Sequence, residues 1–113
     1  MNPKNALLSL TIATVCLLPV RGQQPTAAHV DSLLAKVAAI HGNAGVFAVA
    51  GYRMGERALR EFHQPRGSFA LDVTHKTPME VQYSCVADGW QAATGASPGK
   101  LILNIVPGYV LSF

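Results

Sequence analysis

Cysteine is scarce in this chain of 113 residues, with only Cys16 and Cys85 present. Charge is scarce as well: 13% of residues are Asp, Glu, Lys or Arg, and they form no polybasic run. Without such a run the sequence lacks the electrostatic footprint of a nucleic-acid partner. No C-x2-C pair and no HExxH pattern occurs, which removes the close-spaced zinc signatures. The longest apolar run, Ala6 to Val20, falls short of the ~20 residues a membrane-spanning helix needs. Internal repeats and low-complexity stretches are absent, and the length allows a single domain.

What is present begins with a leader pattern. Lys4 precedes the apolar run, Val20-Arg21-Gly22 follows it, and Gln23-Gln24-Pro25 is polar. This is the layout of a secretory signal over residues 1–22, with a retained anchor as the competing reading. Cleavage after Gly22 leaves 91 residues, 23–113, as the domain. It also removes Lys4 and Arg21 from the nine basic residues, leaving seven against six acidic, a net charge of +1. The protein is then exported to the periplasm or beyond, has no stable membrane span, and carries Cys85 as its sole thiol. A lone thiol in an oxidising compartment is buried and inert, paired with another chain, or occupied by a metal or by chemistry.

Periodicity supplies the elements. Val30, Leu33, Leu34, Val37 and Ile40 mark one face of a helix that Thr26 caps and Gly42 ends. A second helix runs from about Val46 to His63. Its small residues Ala48, Gly51, Gly55 and Ala58 form a stripe, which implies close approach by another backbone. Glu56 with Arg60 and Arg57 with Glu61 are spaced for i,i+4 ion pairs on its solvent face. Phe69, Leu71 and Val73 alternate as a strand ending at His75 to Pro78, and a third helix spans Cys85 to Ala93 with Ser84 as its cap. Leu101 to Val106 reads as a strand, Pro107-Gly108 as a turn, and Tyr109 to Phe113 as a returning strand. The order predicts an α+β fold, with two N-terminal helices and a short third helix packed on a small mixed β-sheet. An apolar strand ending at Phe113 implies either a homo-oligomer covering that edge or a longer protein.

Chemistry concentrates in Ser84 to Lys100. Cys85 at a helix start would face free N–H groups, and Asp88 follows one turn later on the same face. His41 and His75 each stand at the end of an element. One Cys, one or two His and one Asp make a candidate mononuclear metal site; the competing reading is a capped helix with a structural cysteine. Gly95 and Gly99 before Lys100 lack the spacing of a phosphate loop and read as turns.

Two stretches carry a family resemblance. His41 to Gly55 resembles the opening signature of the FmdE family, named after formylmethanofuran dehydrogenase: His-Gly-His, a Cys or Gly, Pro, and then Gly-Tyr-Arg-Met-Gly, here Gly51 to Gly55. Ser84-Cys85, Asp88-Gly89, Gln91, Thr94-Gly95 and Gly99-Lys100 resemble its second signature, SC-x2-DG-x-Q-x2-TG-x3-GK. The resemblance implies an α+β fold compared with the catalytic domain of glyceraldehyde-phosphate dehydrogenase. It also implies a pocket in which His41 and Cys85 bind a divalent transition metal, for which zinc is the candidate. Asp88, Asn43, Tyr52 and Lys100 would stand around that pocket. The second His of the signature is Asn43 here and its Pro is Val46; from position, His75 is the candidate to replace the missing ligand. Leader and resemblance together imply an exported metal-binding domain open to a small-molecule ligand. Alternatives are a metal-dependent enzyme of one-carbon-type metabolism, or a structural or partner-binding domain with Cys85 buried.

Overall fold

The computed structural model describes residues 24–108. The leader over 1–22 and the return strand over 109–113 lie outside the described residues. Helix α1 spans Ala27–His41, α2 Val46–Glu61 and α3 Val81–Thr94; strands β1, Val73–Thr77, and β2, Leu103–Pro107, flank α3 in the chain. The fold is α+β, as the element order predicts. The two described strands pair in parallel, Val73 opposite Leu103 through Thr77 opposite Pro107. Among the described residues the sheet is parallel and not mixed.

The caps of α1 are the expected ones. Thr26 Oγ accepts the His29 N–H at 3.2 Å, and Gly42, at φ 89°, donates its N–H to the Ala38 carbonyl. Only the middle of its apolar stripe is covered: Leu33 and Val37 are buried, whereas Val30 and Ile40 remain exposed. The chain turns by 114° between α1 and α2, so the two helices do not lie antiparallel. Among the described residues no single helix is long and apolar enough to cross a membrane.

The small-residue stripe of α2 meets α3 at backbone distance. A Cβ on Gly51 would overlap the Val86 carbonyl oxygen, and one on Gly89 would overlap that of Ala48. One on Gly55 would lie 2.7 Å from Ala93 Cβ. These three glycines therefore set the separation of the two helices, and their propensity cost is offset by the contact they allow. On one side of this seam Leu33, Val37, Ala48, Tyr52, Ala92 and Ala93 form a helical cluster. On the other, Val86 and Trp90 of α3 meet Leu71, Val73, Ala96, Ile102 and Leu103.

Three boundaries differ from expectation. The period-2 pattern after Ser68 has the right phase, since Leu71, Val73, His75 and Thr77 all face inward. Strand β1 is nonetheless Val73–Thr77 and not Phe69–Thr74: pairing begins where β2 arrives, and its last two inward residues are polar. Phe69 stays exposed, with Lys100 Nζ 5.6 Å from its ring centroid. Helix α3 begins a turn earlier than expected, with Glu80 at its N-cap; Val81 and Gln82 are exposed and give no periodic signal of it. Ser84 is therefore inside the helix, its hydroxyl donating to the Val81 carbonyl at 3.0 Å. Finally, β2 starts at Leu103, after a single 3-10 turn over Pro98–Lys100.

Candidate functional site

The C-terminus of α1 and the first turns of α2 and α3 converge on one corner. The close approach of Gly51 to Val86 and of Gly89 to Ala48 fixes that convergence. His41, in the last turn of α1, reaches α3 and places Nδ1 2.7 Å from Asp88 Oδ2. A carboxylate only accepts, so Nδ1 carries the hydrogen in this pair. The other ring nitrogen faces the α1–α2 turn: a Cβ on Gly45 would lie 3.3 Å from His41 Nε2 and 3.4 Å from Asn43 Oδ1. A side chain at position 45 would stand against that nitrogen. The histidine side chain is 18% exposed and the aspartate 42%, so the pair is partly screened from solvent.

Cys85 precedes Asp88 by three residues on α3, which puts both on one helix face. Because α3 starts at Val81, the cysteine lies in the second turn, and its thiol donates to the Val81 carbonyl at 2.9 Å instead of meeting free N–H groups. It is half-buried, free, and outside both apolar clusters, which does not match the buried-core alternative. Phe47 of α2 and Tyr83 of α3 form an edge-to-face pair between the first turns of the two helices, ring centroids 5.7 Å apart.

His41, Asn43 and Asp88 thus come together, with Cys85 on the adjoining helical turn. The other candidates go elsewhere. His75 is fully buried in β1, where its Nε2–H donates to the Tyr83 carbonyl at 3.2 Å and ties the first turn of α3 to the sheet. Tyr52 is buried in the helical cluster. Lys100 stands at the opposite end of α3, donating to the Gly95 carbonyl at 2.8 Å. That bond caps the helix C-terminus, and Arg66 adds a second through the Ala92 carbonyl at 3.3 Å. The glycine-lysine sequence that superficially suggests phosphate binding is a helix stop.

A family model described as "FmdE, Molybdenum formylmethanofuran dehydrogenase operon" matches residues 40–109, more than half of the chain. The chain belongs to the FmdE family. The matched span opens immediately before His41 and takes in the whole α2–α3 seam, so both signatures fall within the match. That description links the family to the operon of a molybdenum enzyme. No curated protein and no solved structure matches the chain.

Among the described residues no three His, Cys, Asp or Glu side chains gather as a group able to hold a metal ion. His41 has a carboxylate partner, and Cys85 shares a helix face with that carboxylate. Spacing in the sequence did not reveal the part played by Gly45, because what matters there is an absent side chain over a ring nitrogen.

Proposed function

We propose that this FmdE protein is exported and binds a divalent transition metal, zinc being the first candidate, through His41 and Cys85, with Asp88 orienting the histidine. The single observation behind this reading is the 2.7 Å bond between His41 Nδ1 and Asp88. Metal-ligating histidines almost always donate their second ring N–H to a carboxylate or carbonyl, which fixes ring orientation and leaves the opposite nitrogen as the donor. Here that nitrogen is Nε2, above Gly45. Cys85 would supply the soft ligand once its thiol gives up the Val81 carbonyl. With two protein donors, the remaining positions fall to water or to a small molecule. Such an open sphere suits both a carrier and a metal-dependent enzyme.

In this reading the ligands are small molecules, nucleic acid is not a partner, and no membrane span remains after the leader is cleaved. Self-association is the partner expectation; large apolar side chains such as Val46, Val81 and Leu101 are each more than 80% exposed and would be covered by it. The deciding experiment is elemental analysis of the purified protein alongside Cys85→Ala and His41→Ala. About one metal ion per wild-type chain, lost in both variants, is the expected result. Equal, sub-stoichiometric metal in all three would end the proposal.

A further inference from the structure

A second polar cluster lies away from this corner, where the start of α1 meets the outer face of α2. Arg53, Glu56 and Arg60 recur at i, i+3 and i+7 and so share one stripe of α2. His29 of α1 faces them. Glu56 does not make the expected pair with Arg60. Its carboxylate is drawn instead to Arg53, Nη1 to Oε2 3.4 Å, and to His29, Nε2 to Oε1 3.7 Å. Arg53 Nη1 also lies 3.4 Å from His29 Nε2. One carboxylate therefore stands among two guanidinium groups and a histidine, and the cluster carries excess positive charge. These side chains line an open cleft of about 520 Å³, together with Gln24, Pro25 and Thr26.

Four of the five residues from Gly51 to Gly55 are used for packing. Gly51 and Gly55 sit on the α3 seam, Tyr52 is in the helical cluster, and Met54 packs against the sheet cluster. Arg53 alone is turned outward, half exposed. We propose that this cleft binds a small oxyanion, a carboxylate or a phosphate, between the guanidinium groups of Arg53 and Arg60. Arginine presents planar paired donors that match such anions, and both contacts to Arg53 are long enough to be exchanged for shorter charge-assisted bonds. The Thr26 hydroxyl accepts from the His29 N–H and keeps its own hydrogen to donate. A cleft of this size accommodates a small metabolite.

The test is an NMR titration of the purified protein with inorganic phosphate and, separately, with acetate, at an ionic strength held constant with chloride. Saturable shifts confined to His29, Arg53 and Arg60 are expected with at least one of the two anions, which also tells phosphate from carboxylate. Arg60→Gln should weaken binding about tenfold, the loss of one hydrogen bond to a charged group. Glu56→Gln removes the competing carboxylate and should tighten it. Arg57→Gln, whose side chain pairs with Glu61 at 3.5 Å outside the cleft, should change nothing. Arg53→Gln is the second variant, so that a folding failure in one leaves the other to decide. A response that chloride reproduces, that rises linearly without saturating, or that persists in the arginine variants would overturn the proposal.

Discussion

Replacing Gly89 by alanine sets two opposing effects against each other, and the structure says which wins. Gly89 is in the middle of α3, where alanine is favoured over glycine by about 1 kcal/mol of helix propensity. The new methyl group would meet Ala48 O, Tyr52 N and Gly51 C, all of them backbone atoms of α2. None of these can swing aside as a side chain would. Relief of an overlap of roughly 1.5 Å relative to normal carbon contact therefore requires the helices to part along their seam. A gap of about 0.5–1 Å already forfeits a quarter to a half of the dispersion well for each facing atom pair. Ala48, Tyr52, Ala92 and Ala93 would all lose contacts in this way. Overpacking alone costs about 1–3 kcal/mol when side chains can adjust, and here they cannot. We expect a net loss of about 3 kcal/mol or more, a large share of the roughly 5–15 kcal/mol typical of a domain. Urea denaturation followed by circular dichroism and Trp90 fluorescence measures it. The control is Gly99→Ala, where a Cβ meets nothing within 4 Å and stability should be unchanged. A Gly89→Ala protein as stable as the wild type would refute the close-approach argument.

Other parts of the molecule give three further expectations. Asp88→Ala should leave the fold intact, since the side chain is 42% exposed, and weaken metal binding about 10- to 100-fold by releasing the His41 ring; competition with a chelating dye measures this, and unchanged affinity would remove Asp88 from the site. Lys100→Met deletes a bond to the last turn of α3 and should destabilise by about 0.3–1 kcal/mol, with no effect on metal content at the far end of the helix; a loss of metal would place the lysine at the site after all. Expression of the complete chain in a secreting host should yield a protein beginning at Gln23, which N-terminal sequencing detects; an intact Met1 in the exported fraction would favour the retained anchor.

Helix α1 and the stripe on α2 were legible because their signals are local. A threonine cap, a terminal glycine and apolar residues at helical spacing specify α1 from end to end, and the glycines at Gly51 and Gly55 already required a near backbone. The phase of the strand was legible as well, through Leu71 and Val73. The start of α3 was not, because Val81 and Gln82 are exposed and the cap residue, Glu80, makes no side-chain cap bond.

The sequence by itself determined the α+β class, the family signatures and seven candidate residues for a site. Only the tertiary structure decided how these were used. It drew His41 to Asp88 across 47 positions, buried His75 and Tyr52, and gave Lys100 to a helix end. It also took Glu56 from Arg60 and gave it to Arg53 and His29. The physical reason is common to all of these. Spacing along a chain fixes which residues share a face, but which face meets which depends on how closely two backbones can approach. In this protein Gly51 and Gly89 set that distance, and the corner at His41 depends on it.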